Sequence, residues 1–397
     1  MKIKPLFLAI ALCCSAMHGR AQSGATGMQP DRIMLTWSDD PGSSQSVSWR
    51  TASGGNKIIG QIAEEQSYPD FETKAQTVEG TRAYLERGKQ QDAYNQVSFR
   101  NLKPGTTYTY RVGDGIHWSP WNQFKTAEKS GDFSFIYLGD AQNDLRSRWS
   151  RTIRRAFQQE PNARFIVHAG DLINRSNTDE EWAEWYEGSG FIHQMIPAVP
   201  TPGNHEYRRD STGRLVLDPH WKVQFNLPKN GPEGLQDAVY YLDYQDLRIV
   251  SLNSQLIMLD SVAAYTQEKW LENVLSSSTK KWNIVVMHHP VYSTAKSRDN
   301  TILRERFKPI LEKYGVDLVL QGHDHTYARG SLGRKRPVYL LSVAGPKMYE
   351  SDSERWMDVA TEQTQLYQVI KLRSDKLYFA SYKLNGQLFD SFELSKK

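Results

Sequence analysis

Apolar runs that stop abruptly on a carboxylate or an imidazole constrain this chain more than any other feature. SFIYLGD ends on Asp140, FIVHAGD on Asp171, NIVVMHH on His288 and His289, and LVLQGHDH on His323 and His325, while TPGNHE sets Asn204 and His205 in a turn. Continuous runs of this kind read as strands buried on both faces, the habit of a parallel sheet covered by helices. Residues 144–160, with Trp149, Ile153 and Phe157 on one face, read as the helix joining the first two runs. Strand, helix, strand implies a parallel βαβ unit. In open α/β sheets ligands bind beyond the carboxyl ends of the strands, so these donors are expected to meet in one crevice.

Oxygen and imidazole donors without sulfur suit transition-metal ions. Two such ions about 3.5–4 Å apart need a bridging carboxylate and terminal ligands on each side. Gly139, Gly170, Gly203 and Gly322 come just before the donors and are expected to permit the sharp turns that present them. Singly, each piece says little: an Asp after Gly is commonly a turn residue, and a lone His packs in a core. The ordered set of segments carries the reading.

The first residues, MKIKPLFLAIALCCSAMHGRAQSG, place Lys2 and Lys4 before an apolar run and small residues after it. That is the pattern of a secretory leader, here expected over residues 1–21. The run is shorter than the roughly 20 apolar residues of a membrane span, and none occurs later. An exported protein, secreted or periplasmic, is therefore expected, with no membrane span. Both cysteines, Cys13 and Cys14, fall in the leader, leaving the mature chain without a disulfide or thiolate ligand; Leu12 before Cys13 argues against lipidation. The leader also holds Lys2, Lys4 and Arg20, so the net charge of +4 belongs mainly to the precursor. Nothing resembles the basic footprint of a nucleic-acid binder.

A chain of 397 residues suggests about two domains. From Arg32 to about Thr126 the runs IMLTW, SQSVSWRT, KIIGQIA, NQVSFRNL, TYTYRVGDG and WNQF, separated by polar turns, read as a small antiparallel sandwich over residues 28–127. NLKPGTTYTYRVGDG resembles a fibronectin type III segment. After the joint AEKSGD the α/β pattern takes over for residues 131–397, with helices expected near Gln267–Ser276 and over 302–314, and a tail that returns to alternating strands.

The series GD, GD, GNHE, VxxH and GHxH resembles the calcineurin-like metallophosphoesterases and, with a sandwich in front, is most similar to the purple acid phosphatases. The resemblance covers nearly all of the mature chain. It implies an N-terminal antiparallel β-sandwich followed by an α/β domain of two mixed sheets flanked by helices. It further implies two metal ions, drawn from Fe, Zn or Mn, and hydrolysis of small phosphate monoesters. By the same resemblance Asp171 bridges the metals, Asp140 and His325 hold the first, and Asn204, His288 and His323 hold the second. His205 then faces the phosphoryl group as hydrogen-bond donor or as acid toward the leaving oxygen. A phosphodiesterase or nucleotidase would use the same site. A non-catalytic binding protein is disfavoured by the complete ligand set.

Two positions depart from the family pattern. Asn174 stands where purple acid phosphatases carry the tyrosine whose phenolate binds the ferric ion and gives the colour. The first motif reads Asp140-Ala141-Gln142 rather than Asp-x-His. An amide oxygen of Asn174 or Gln142 is the available replacement, and it is neutral, so a colourless site tolerant of Mn, Zn or Fe(II) is expected; alternatively Asn174 only caps the turn. Among weaker features, His168 and His289 are expected to pack, His168 as a hydrogen-bonded core residue. Trp182, Trp185 and Tyr186 form either core or a wall over the cleft. Arg208, Arg209, Lys296, Arg298 and Arg304 are candidate phosphate clamps or solvated surface cations. Oligomeric state is not legible.

Overall fold

In the computed structural model the chain is described over residues 26–55, 57–295, 298–352 and 354–396. The leader, expected over residues 1–21, lies outside the described residues. Among those described, no helix is long and apolar enough to cross a membrane.

The first hundred described residues form two four-stranded antiparallel sheets. One runs Asp31–Thr36, Gln45–Ala52, Gln90–Phe99, Thr81–Arg87; the other Gln76–Glu79, Ile59–Glu64, Thr107–Gly113, Asn122–Lys125. Period-two alternation sends Leu35, Val47, Trp49, Val97 and Phe99 inward against Ile62, Tyr110, Val112 and Phe124, which makes the sandwich core. Six strands are legible as apolar runs. The remaining two, Gln76–Glu79 and Thr81–Arg87, lie at sheet edges with most side chains outward, so they carry no apolar signal.

Two mixed sheets build the rest, as the resemblance to the calcineurin-like metallophosphoesterases implies. Phe133–Leu138, buried along its whole length, pairs in parallel with Ile166–Ala169, which pairs in parallel with Ala198–Thr201. The other edge of Phe133–Leu138 takes the antiparallel tail strands Leu366–Arg373, Lys376–Lys383 and Leu388–Ser395. The second sheet has seven strands. Its parallel centre is Leu247–Leu252, Trp282–Met287, Leu318–Gln321 and Val338–Leu341.

A core shared by both sheets also takes in the helices Ser150–Gln159 and Asp179–Ser189. A second core lies between the seven-stranded sheet and the helices Ser261–Ser276 and Lys308–Lys313. The result is a helix, sheet, sheet, helix stack. Trp182, Trp185 and Tyr186 are buried in the first core and are not a wall over a cleft. The helix expected near Gln267 begins earlier, at Ser261, because the Asp260 carboxylate caps the amides of Val262 and Ala263. Both helices expected over 144–160 and 302–314 open with a wider turn, at Leu145–Trp149 and Leu303–Phe307.

The sandwich does not stand apart from this stack. Met34, Trp37 and Ala127 join the main core, with the Trp37 ring 5.9 Å from that of Phe165 and 5.8 Å from that of Tyr244.

Candidate metal centre

Every donor picked out by the sequence follows the carboxyl end of a parallel strand. Asp140 follows Phe133–Leu138, Asp171 follows Ile166–Ala169, and Asn204 and His205 follow Ala198–Thr201 in one sheet. His288 follows Trp282–Met287, and His323 and His325 follow Leu318–Gln321, in the other. The two sheets meet there through backbone bonds, Ala344 N to Gly139 O at 2.8 Å and Gly345 N to Asp140 O at 2.7 Å. Two groups of three donors result, Asp171 with His288 and His323, and Asp140 with Asp171 and His325, each with ligand atoms within 4.8 Å of one another. Asp171 is common to both.

The turns that present these side chains are made by the donors themselves. Asp140, Asp171, His323 and His325 hold φ of +33°, +52°, +78° and +51°, a region that non-glycine residues enter only when the surroundings impose it. Of the four glycines expected to make the turns, only Gly170 has positive φ, at +85°. The others are needed for close approach: a Cβ on Gly203 would strike Asp171 Oδ1, and one on Gly322 would strike Asp140 Oδ2.

Hydrogen bonds fix which nitrogen of His288 and of His325 faces the centre. His288 Nδ1 lies 2.9 Å from the Ala169 carbonyl, so it donates there and leaves Nε2 directed inward. That Nε2 stands 3.2 Å from Asp171 Oδ2, 3.1 Å from Asn204 Oδ1 and 3.2 Å from His323 Nδ1. His323 Nδ1 is in turn 2.9 Å from Asn204 Oδ1. His325 donates Nδ1 to the Lys347 carbonyl at 2.8 Å and points Nε2 to within 3.7 Å of Asp140 Oδ1. Lone pairs therefore converge on lone pairs, an arrangement that a proton or a cation must relieve.

Titration directions describe the same imbalance. Burial, reinforced by the charge on Asp171, pushes the Asp140 carboxyl well above its usual range. Asp171 is held well below that range despite its burial, by the facing His288. Burial alone would lower His288, but Asp171 and Asp140 raise it to about 10. His325 is pushed down to about 4 and His323 lower still, chiefly by burial, so both are neutral and fit to ligate. With no ion bound, protons on His288 and Asp140 offset the converging lone pairs, and divalent ions can take the place of those protons. The residues fit a two-metal centre.

His205 lies at the rim, about a quarter exposed, with Nδ1 2.5 Å from the Asn174 carbonyl and Nε2 3.9 Å from Asp171 Oδ2. Asn174 thus serves the site through its backbone, taking His205 on its carbonyl and giving its amide to Glu181 at 2.7 Å. Its side chain makes no hydrogen bond among the described residues. Gln142 turns its nitrogen to Asp171 Oδ2 at 2.7 Å and its oxygen to the Lys347 ammonium at 2.9 Å. The amide oxygen considered as a replacement ligand is therefore engaged elsewhere.

Several supporting residues escape a reading of the sequence. Glu206 is fully buried and accepts the backbone amides of Asp171, Leu172 and Gly203 at 2.9, 2.7 and 2.6 Å. Burial and the neighbouring Asp171 push it up to about 7 against those donors. Its position inside GNHE was the available signal. Asp324, which binds Ser293, Thr294 and Arg298, had only its place inside GHDH, and Lys347 had no signal in the sequence.

Of the candidate clamps, Arg208 pairs with Asp218, Arg298 with Asp324 and Arg304 with Asp299, while Arg209 donates to the Gly213 carbonyl; Lys296 lies outside the described residues. His289 is buried with Nδ1 2.9 Å from Ser254 Oγ and its ring against His323. His168 is buried against Trp185 and His193, yet its Nε2 finds no partner among the described residues, so it is a core histidine without the expected hydrogen bond there.

Comparison with known proteins agrees with this architecture. The Calcineurin-like phosphoesterase family matches residues 133–327, and the Purple acid Phosphatase, N-terminal domain family matches residues 30–126. Acid phosphatase type 7 of Mus musculus is 26% identical over 331 residues, covering 76% of this chain and 70% of that protein. Probable purple acid phosphatase 20 of Arabidopsis thaliana is 25% identical over 316 residues, covering 76% and 67%. Purple acid phosphatase PPD1 from yellow lupin seeds shares the fold with a TM-score of 0.78 at 17% identity, covering 92% of this chain and 74% of that one.

Proposed function

From the premise that this chain is a purple acid phosphatase-like member of the calcineurin-like phosphoesterases, we propose that it hydrolyses small phosphate monoesters outside the cytoplasm. The observation that carries the reading is Asp171, shared by two groups of three donors. Asp140, Asp171 and His325 would hold one ion, and Asp171, Asn204, His288 and His323 the other. When bound, the metals supply Lewis-acid polarisation of the phosphoryl group and acidify a water.

The chain's own residues do the rest. A carbonyl can only accept, so His205 carries hydrogen on Nδ1 and presents Nε2 to the cleft, placed to donate a proton to the departing oxygen. Glu206 and Gln142 hold Asp171 from behind, through its backbone amide and its Oδ2. The division at residues 28–127 and 131–397 and a leader ending at residue 21 belong to the same proposal.

The place of the missing phenolate has gained no anion. Asn174 is neutral, Gln142 is turned toward Lys347, and the Lys347 ammonium brings positive charge. That balance favours a divalent ion, Mn, Zn or Fe(II), at the first position and a colourless protein. The test is the p-nitrophenyl phosphate to bis-p-nitrophenyl phosphate rate ratio, together with a visible spectrum after iron loading. A preference for the monoester and a flat visible spectrum are expected. A diester preference overturns the substrate class, and a phenolate-to-iron band overturns the metal assignment.

A further inference from the structure

One sheet of the sandwich, built from Asp31–Thr36, Gln45–Ala52, Gln90–Phe99 and Thr81–Arg87, sends a side chain from every strand into the rest of the molecule. Register slips between Asp31 and Met34, and Arg32 holds φ +50°. Such a bulge re-aims a side chain. Arg32 thereby reaches Asp179 with Nη1 2.7 Å from Oδ1 and Nη2 3.2 Å from the carbonyl oxygen. Arg50 lies 3.2 Å and Arg87 3.5 Å from Asp179 Oδ2.

Asp179 opens the helix Asp179–Ser189. In the same turn Glu181 accepts the amides of Asn174 and Arg175 at 2.7 Å each, and the Asn174 carbonyl takes His205 Nδ1 at 2.5 Å. The chain after His205 is held by the same sheet. Glu206 O receives the Asp218 amide at 3.0 Å, and Arg208 Nε pairs with Asp218 Oδ2 at 3.0 Å. Asp218 caps the helix Pro219–Gln224, whose last carbonyls accept from Gln96 at 3.2 Å and Ser48 at 2.6 Å.

We propose that the N-terminal sandwich positions the leaving-group chemistry: Arg32 and Arg50, acting through Asp179 and Glu181, fix the Asn174 carbonyl that aims His205 Nε2 into the cleft. The inference rests on the reading of His205 as proton donor. Water adds to phosphorus, the bond to the ester oxygen breaks with its electron pair on that oxygen, and the Nε2 proton of the His205 imidazolium completes the alcohol, leaving the neutral imidazole with hydrogen on Nδ1; a proton from the water restores the imidazolium. Misplacement of about 1 Å in such a group is costly. Among the described residues no side chain of Asp140, Asp171, His288, His323 or His325 bonds to Asn174, Glu181 or Asp179. Loosening the joint therefore spares the metal ligands and removes help to the leaving group, which an alkoxide needs and p-nitrophenolate largely does not.

The experiment compares kcat/KM for p-nitrophenyl phosphate and for an alkyl phosphate, with metal content measured, in the full chain carrying Asp179→Asn, Arg32→Lys, Glu181→Gln or His205→Gln. Arg32→Lys keeps the charge and loses only the fork, so it reads the joint if Asp179→Asn fails to fold. The three positioning variants are expected to keep their metal and to lose at least about tenfold more on the alkyl than on the aryl ester, approaching His205→Gln. Equal losses on both esters, or loss of metal, overturn the inference. If His205→Gln is selective and the joint variants are not, the inference alone falls. If His205→Gln shows no selectivity, the proton-donor reading falls and takes the inference with it.

Discussion

The metal centre and the joint beneath the sandwich both bury charge, and they settle it in opposite ways. At the joint, Asp179 meets Arg32, Arg50 and Arg87, and Asp92 meets Arg50 and Arg87, so every buried carboxylate faces a guanidinium. Against the desolvation that burial imposes, hydrogen bonds from Arg32 to Asp179 and from Arg87 to Asp92 hold both acids below their usual range. At the centre, Asp140 and Asp171 face imidazoles and an amide oxygen, with no guanidinium or ammonium on either carboxylate. The second arrangement relies on imidazoles that can lose their protons, which suits it to cations. Backbone geometry marks the same difference, since four donors at the centre sit at positive φ and, at the joint, only Arg32 does.

The largest break in this comparison is expected at the joint. Asp179→Ala leaves Arg32 buried without a carboxylate partner, while Arg50 keeps Asp31 and Asp92, and the loss costs about 3–5 kcal/mol; urea unfolding at neutral pH measures it, and a change under 1 kcal/mol would mean that the joint is solvated. Because both acids have lowered pKa values, their contribution is present above the ordinary carboxylate range and is lost as pH falls through the folded values.

A smaller effect is expected behind the centre. Gln142→Ala removes the donor on Asp171 Oδ2 and frees Lys347, and loss of such a support weakens metal binding about 10–100-fold. Chelator competition reads this directly, with unchanged affinity as the contrary result.

The smallest concerns a third region, where neither solution is used. His193 is buried with both ring nitrogens unpartnered among the described residues, stacked on Trp185 at 4.9 Å, and burial lowers its pKa to about 3. The unfolded chain takes up this proton below about pH 6.5 and the folded chain does not until about 3, so stability falls as pH drops between the two. His193→Phe is expected to flatten that slope by up to a few kcal/mol between pH 6 and 4; equal slopes in both proteins would show that the imidazole reaches a proton acceptor.

The centre was legible in the sequence because its chemistry is concentrated where buried strands end, and the motifs quote most of the donors. The succession of strands and helices along the chain followed from the same runs, whereas the order of strands within each sheet did not. The joint was not legible, because Arg32 and Asp179 stand 147 residues apart and an arginine in a strand looks like a surface residue until its partner is placed. Glu206 was hidden in plain view within GNHE: nothing in the residue type announces that it will accept three backbone amides. Thr81–Arg87 escaped because an edge strand with outward side chains has no apolar period. The orientation of Gln142 depends on Lys347, which comes from a loop 205 residues away.

Metal stoichiometry tests the central claim most directly. Native protein, purified and dialysed, is expected to hold about two metal ions per chain, and Asp171→Asn to hold fewer with phosphomonoesterase activity reduced by more than about 100-fold. Two ions retained by the variant with full activity, or a native chain that binds none when offered Mn, Zn or Fe(II), would contradict the account.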